Sequence, residues 1–285
     1  MAFGGTAGFA AAGHVLNYFA VIWPALVFGI LISAAVRAFV PAGWFARGFR
    51  HKPLNAQLMS GVAGAPLMLC SCCVAPVFSA VYARSKRLAP SLAVMLASPG
   101  LNPAALVLTF LLFQPEVALA RMLMAAPAVF LAGIVIERLF PDHQALEQES
   151  LPEPSRNFGR SLGEVLVGTA PAIVIGVTCS MVLIEYLPKD LFASGSVRFI
   201  ATIVSASIAV PLALPTFFEI PLALSILAAG GPAGAAAAML FAGPIINLPS
   251  LLALARSTNW KIALALAGLV WAIAVAGGLA LNQMT

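Results

Sequence analysis

Three of the four cysteines in this chain lie within four residues of one another, at Cys70, Cys72 and Cys73. Pro66 and Pro76 flank them, and two prolines at this spacing prevent one straight helix across the segment. Because proline begins helices well, we expect a helix to start near Pro76, with its positive end directed at the thiols. Thiolates are soft ligands that suit Cu(I), Zn and similar species. The cluster therefore predicts a binding site for a thiophilic solute, such as a trivalent metalloid or a soft metal species.

Two other interpretations of the cysteines stay open. A cysteine in an apolar segment often serves as a small hydrophobic residue, and we assign that role to Cys179. Cys70 and Cys73 also form a C-x-x-C pair, which is typical of thiol redox proteins. Such enzymes usually relay electrons through a second cysteine pair, and only Cys179 remains here. We therefore predict that the chain is not an enzyme and keep a membrane thiol oxidoreductase as an alternative.

Glu219 is the strongest single candidate for a functional residue, because it lies deep in an apolar stretch between Phe218 and Ile220. A carboxylate at such a place is costly and is usually functional, as a proton site or as a countercharge. A helix beginning at Pro221 would favour its ionised form. The structural alternative is that Glu219 caps that helix.

Asn102 and Asn247 follow Pro99 and Pro244 in otherwise apolar segments. Proline breaks release backbone carbonyls and amides that bind ions or polar groups in transporters. A buried asparagine needs hydrogen-bond partners, so each of the two could instead hold its own broken backbone together. Three hydroxyl residues at the same places are candidate minor ligands: Ser71, Ser98 and Thr216.

The elements that carry these residues occur twice. Pro66–Pro76 recurs as Pro211–Pro221, and Ser98–Asn102 recurs as Gly243–Asn247; 211 − 66 and 247 − 102 both equal 145. Broken apolar segments at matching positions of two halves point to a transporter whose site lies where the breaks meet. At the position of Glu219 the first copy has Val74, so the two copies differ where the chemistry is expected.

Composition places these elements in a membrane. The chain is 61% hydrophobic and 9% charged, with mean hydropathy +1.01, whereas soluble domains carry about 25% charge. Apolar segments of about 20 residues predict an all-α polytopic membrane protein. We expect no signal peptide, no ATP motor and no cofactor. We also expect no nucleic-acid partner, because basic residues of membrane proteins mark cytoplasmic loops. The predicted apolar segments are 15–40, 57–83, 90–113, 117–140, 162–187, 197–228, 233–255 and 260–281.

The basic residues also predict the orientation of the two halves. We assign 1–140 to a first membrane repeat, 141–160 to a cytoplasmic linker and 161–285 to a second membrane repeat. The loop with Arg84 and Arg87 is predicted to be cytoplasmic, and its uncharged equivalent at 228–232 to be external. Each half then has about three spans plus a re-entrant hairpin, and the repeats are inverted. Eight full spans in two parallel repeats is the alternative.

The stretches Cys70–Pro76 and Ser98–Pro103, with Leu214–Pro221 and Gly243–Pro249, resemble the YraQ/ArsP-like family of bacterial predicted permeases, which includes an organoarsenical permease. The resemblance implies a multi-pass permease of the bacterial inner membrane. Its motifs are specific for the family and not for a substrate.

Together the residues and the resemblance predict a permease of the secondary-transporter type. We expect efflux of a thiophilic metalloid or soft metal species held by Cys70, Cys72 and Cys73, with Glu219 as the proton or charge site. The alternative substrate is a small anionic or sulfur-containing solute held at half-helix N-termini. The expected partners are the solute and membrane lipid, and a homo-oligomer is left open.

Overall fold

A computed structural model of the chain describes residues 53–85, 87–141, 198–213, 218–228 and 230–284, with a few single positions elsewhere. The predicted spans at 15–40 and 162–187 and nearly all of the predicted linker at 141–160 lie outside these ranges. The regular elements within them are a 3-10 helix at Ala65–Leu67 and ten α-helices: α1 Pro53–Gly64, α2 Ser71–Ser85, α3 Leu88–Gly100, α4 Pro103–Leu112, α5 Pro115–Leu139, α6 Arg198–Ala209, α7 Glu219–Ala228, α8 Ala233–Ile245, α9 Leu248–Ser257 and α10 Trp260–Met284.

Three helical stretches of the described residues are long and apolar enough to cross a membrane. They are α3 continued by α4, α5 and α10, each 25 residues long, which matches the roughly 20 residues that a bilayer core requires. A fourth span results if α8 and α9 count as one, since they meet at a 43° bend. The prediction of an all-helical polytopic membrane protein is thereby confirmed for the described part of the chain.

The duplication seen in the sequence extends to the helix bounds. α3 and α8 begin 145 residues apart (233 − 88), and α5 and α10 end 145 residues apart (284 − 139). The same separation holds at both ends of the pairs α1 with α6 and α4 with α9. The pair α2 and α7 departs from it, and residues 214–217 before α7 are outside the described ranges.

Equivalent glycines make equivalent contacts in the two copies. A Cβ on Gly133 of α5 would lie 2.6 Å from the carbonyl oxygen of Ala89 on α3. A Cβ on Gly278 of α10 would lie at the same 2.6 Å from the carbonyl oxygen of Gly234 on α8. Small residues let membrane helices approach backbone to backbone, and here the same approach is built twice.

Equivalent helices also pack on one another: α3 packs on α8, and α5 packs on α10. A Cβ on Gly100 would lie 2.9 Å from Cγ1 of Ile245, which is its own counterpart 145 residues later. The C-terminal ends of α3 and α8, which precede the two breaks, therefore contact each other.

The helix predicted to start near Pro76 starts earlier. The α-helical backbone is interrupted at residues 65–70. α2 begins at Ser71, and Pro76 lies inside it. The first turn forms there because the amide of Val74 donates to the carbonyl of Cys70 at 2.9 Å. In the second copy, α7 likewise begins before its proline, at Glu219 rather than at Pro221.

Candidate functional site

The three cysteines gather at the N-terminus of α2. Sγ of Cys70 lies 3.0 Å from Sγ of Cys72, which lies 3.9 Å from Sγ of Cys73. All three sulfurs lie within 4.8 Å of one another, and all three side chains are buried. We call Cys70, Cys72 and Cys73 the thiol cluster.

Cys70 occupies the position that ordinarily caps a helix. Its sulfur accepts a hydrogen bond from the amide of Cys73 at 3.4 Å, where helices usually place Ser, Thr, Asp or Asn because oxygen accepts better than sulfur. The positive end of the α2 dipole also lies at the cluster. A thiol at a capping position is a poor choice for stability and a good one for soft-ligand chemistry.

Ser98 on α3 positions the loop that carries the cluster. Its hydroxyl accepts a hydrogen bond from the amide of Leu69 at 2.9 Å and donates one to the carbonyl of the same residue at 3.3 Å. Met68, the residue before Leu69, has a φ of 51°, a left-handed conformation that is rare outside glycine. Ser98 therefore holds the backbone of the residue before Cys70.

The donor set fits a soft ion or a trivalent metalloid. A tetrahedral ion with metal–sulfur bonds of about 2.3 Å would have its sulfurs about 3.8 Å apart, and the observed separations bracket that spacing. Structural zinc sites have four protein ligands. Among the described residues, the cluster supplies three side chains of the ligating types His, Cys, Asp and Glu.

Glu219 is buried and forms an ion pair that crosses between the copies. Nη2 of Arg121, on α5, lies 3.3 Å from Oε1 of Glu219 on α7. Nη1 of Arg121 donates to Oγ1 of Thr109 on α4 at 2.6 Å. The Arg121 side chain is 1% exposed and that of Glu219 is 4% exposed, so this ion pair lies in the protein interior.

Sequence reasoning missed Arg121. The signal was present, because Arg121 is the one charged residue in the interior of the apolar segment 117–140 before Glu137. A lone cation and a lone carboxylate in separate apolar segments are each costly unless they meet. Pairing Arg121 with Glu219 was therefore open to prediction from the sequence.

Both asparagines cap the helices that follow the breaks. Oδ1 of Asn102 accepts hydrogen bonds from the amides of Ala104 at 3.0 Å and Ala105 at 3.3 Å. Asn247 and Ser250 form a reciprocal capping box at the start of α9. Nδ2 of Asn247 is buried and finds no hydrogen-bond partner among the described residues. Each Oδ1 thus serves local structure, while Nδ2 of Asn247 retains an unused donor.

The remaining predicted site residues divide between described and undescribed parts of the chain. Ser71 is buried at the first position of α2, next to the thiol cluster. Thr216 and Cys179 lie outside the described residues.

Comparison with known proteins adds the context of a family. A family model described as predicted permease, ArsP_1, matches residues 9–283. The UPF0718 protein YraQ of Escherichia coli K12 is 28% identical over 283 residues, which cover 95% of this chain and 81% of that protein. The UPF0718 protein MJ0584 of Methanocaldococcus jannaschii is 19% identical over 86% of this chain and 87% of that protein. No solved structure matches.

Proposed function

The chain belongs to the ArsP_1 family of predicted permeases, and from this premise we propose that it is a secondary-transporter-type permease that moves a thiophilic solute across the bacterial inner membrane. The observation that carries the proposal is the thiol cluster, three buried sulfurs within 4.8 Å of one another at a helix N-terminus. Membership of a permease family favours a transporter over a thiol oxidoreductase.

The cluster suits cargo better than a resident metal. Three thiols leave one position of a tetrahedral ion open, and a transporter must release what it binds. For a trivalent arsenic hydroxide, each thiol that displaces a hydroxyl forms one S–As bond and releases one water, so the protein gains no charge. Cys72 and Cys73 are fully buried here. This conformation would therefore hold the cargo occluded, and access would alternate by movement of one repeat against the other.

Removing the thiols tests the proposal. We expect the triple change Cys70→Ala, Cys72→Ala and Cys73→Ala to abolish stabilisation of the purified protein by arsenite, measured as the shift in its thermal unfolding midpoint. Specific binding at 100 times Kd stabilises by about 2.7 kcal/mol, which such a shift reports. Cells sensitive to arsenite should also lose the resistance that the wild-type chain confers.

Cys179→Ala is the matched control, since it removes a cysteine outside the cluster and should leave binding and resistance unchanged. If the triple variant keeps both, the thiol mechanism is wrong.

A second candidate function is transport of a small anionic or sulfur-containing solute at the half-helix N-termini. The unused Nδ2 donor of Asn247 at the start of α9 favours it. In this case Asn247→Ala, with Asn102→Ala as the repeat-related comparison, would abolish uptake of thiosulfate into proteoliposomes. The triple cysteine variant would then transport normally.

The inverted arrangement of the repeats is part of the same proposal, because it would place both sets of breaks at the bilayer midplane. Gln114 and Trp260 are exposed, and their separation of 146 residues (260 − 114) differs by one from that of the repeat. With native cysteines replaced, we expect a membrane-impermeant maleimide to label Gln114→Cys from the periplasm and Trp260→Cys only from the cytoplasm. Labelling of both from one side would instead support parallel repeats.

A further inference from the structure

The hydrogen bond between Arg121 and Glu219 is longer than is usual for a buried charge pair. The oxygen of Glu219 stands 3.3 Å from Nη2 of Arg121, whereas charge-assisted hydrogen bonds of this type are usually about 2.7–2.9 Å and often two-pronged. A guanidinium has five N–H donors. Among the described residues Arg121 uses them for two hydrogen bonds, one to Glu219 and one to Thr109. The cation therefore keeps donor capacity for another ligand.

Glu219 has no substitute as a countercharge among the described helices that pack on α5. These are α1, α3, α4, α8 and α10, and the first four contain no charged residue. α10 contains Lys261, which is exposed near its start. α5 itself contains Glu116, which is exposed five residues before Arg121, and Glu137 and Arg138 near its other end, where Glu137 lies 3.9 Å from Arg87. If Glu219 takes up a proton, the described helices offer Arg121 no other buried carboxylate, and a buried cation left unpaired is costly. An anion that enters the site would remove that cost.

The fold itself does not need this pair. The positions equivalent to Arg121, Thr109 and Glu219 in the other copy hold Leu266, Leu254 and Val74 (266 − 121, 254 − 109 and 219 − 74 all equal 145), and each of these is fully buried. The equivalent positions of the other copy are thus filled by three buried apolar side chains. Buried pairs of this kind are often replaceable by apolar residues without loss of stability, so stability does not explain the charges.

We propose that Arg121 and Glu219 form a proton-gated site for a small planar oxyanion or carboxylate. A proton adds to the Glu219 carboxylate and forms its O–H bond, Arg121 stays protonated, and the anion takes the place of the carboxylate on the guanidinium fork. Release runs in reverse, so one proton and one anion move together without net charge. A planar anion fits because it accepts two parallel N–H bonds from arginine. The inference rests on the proposed permease function, for which the site supplies the coupling step.

Binding of nitrate and acetate to the purified full-length protein, measured by calorimetry at constant ionic strength, tests the site. Glu219→Gln imitates the protonated carboxyl, so we expect it to bind nitrate and acetate at least tenfold more tightly than the wild type at pH 8. Lowering the pH to 5.5 should bring the wild type towards Glu219→Gln while leaving that variant unchanged. The triple variant Thr109→Leu, Arg121→Leu and Glu219→Val copies the apolar counterpart and should bind neither anion at either pH.

Equal affinities in the wild type, Glu219→Gln and the apolar triple variant would overturn the proposal. If Glu219→Gln does not fold, the wild type at pH 5.5 is compared with the triple variant, and equal affinities there overturn it as well. Glu116→Gln, which removes an exposed carboxylate from the same helix, should leave binding unchanged. The thiol proposal fails separately, because the triple cysteine variant should still bind nitrate and the apolar triple variant should still bind arsenite.

Discussion

The two copies hold the loops before α2 and α7 against the broken helices by different hydrogen bonds. In the first copy the hydroxyl of Ser98 holds the backbone of Leu69. The equivalent of Ser98 is Gly243, which has no side chain, and there the amide of Leu248 donates to the carbonyl of Pro211 at 3.3 Å. The first copy cannot use that bond, because the residue equivalent to Leu248 is Pro103 and proline has no amide hydrogen.

The comparison of the two copies distinguishes residues that build the fold from residues that could carry function. Both copies keep the broken helices, the capping asparagines and the close glycine contacts. They differ in which copy carries reactive groups: the thiol cluster of the first copy is matched in the second by Pro215, Phe217 and Phe218. The shared features therefore build the fold, and each departure from the repeat is a candidate for function.

Breaking the ion pair should give the largest effect on stability. Arg121→Leu alone leaves Glu219 buried without its cation, and removal of one partner of a buried pair typically costs roughly 3–5 kcal/mol. The triple variant Thr109→Leu, Arg121→Leu and Glu219→Val should recover most of that loss, because the other copy packs the same three side-chain types. Thermal unfolding in detergent, followed by circular dichroism, measures both.

A triple variant as unstable as the single variant would show that the apolar set cannot be transplanted. The equivalence of the two clusters would then be limited to sequence position.

Some features of the fold and of the candidate site could be predicted from the sequence, and others could not. The repeat and its 145-residue separation were visible in the sequence, because proline and asparagine punctuate helices wherever they occur, and the helix bounds follow them. The start of α2 was wrongly predicted at Pro76, because neighbouring helices satisfy the backbone groups that an interior proline frees in a membrane protein. Arg121 was missed because its partner is 98 residues away. Each lone charge is visible in the sequence, and the folded chain shows that the two meet.

A second test concerns the close backbone contacts that the copies share. Gly278→Ala would place a Cβ 2.6 Å from the carbonyl oxygen of Gly234, so α8 and α10 would have to separate, and we expect a loss of about 1–3 kcal/mol. Gly268 is in the same helix, and nothing lies within 4 Å of a Cβ built there. Gly268→Ala should therefore be neutral or stabilise by up to about 1 kcal/mol. Equal unfolding midpoints for the two variants would contradict the packing described here.

The smallest effect on stability is expected for changes of two serines at equivalent positions, Ser60 and Ser205. The hydroxyl of Ser205 donates to the carbonyl of Ala235 at 2.8 Å, whereas that of Ser60 is buried and finds no partner among the described residues. Loss of a made hydrogen bond costs about 1 kcal/mol, but a buried polar group without a partner is itself a penalty. Ser205→Ala should therefore lower the unfolding midpoint and Ser60→Ala should leave it unchanged or raise it. If Ser60→Ala destabilises as much as Ser205→Ala, Ser60 has a partner in the undescribed part of the chain, and the asymmetry between the copies disappears at this position.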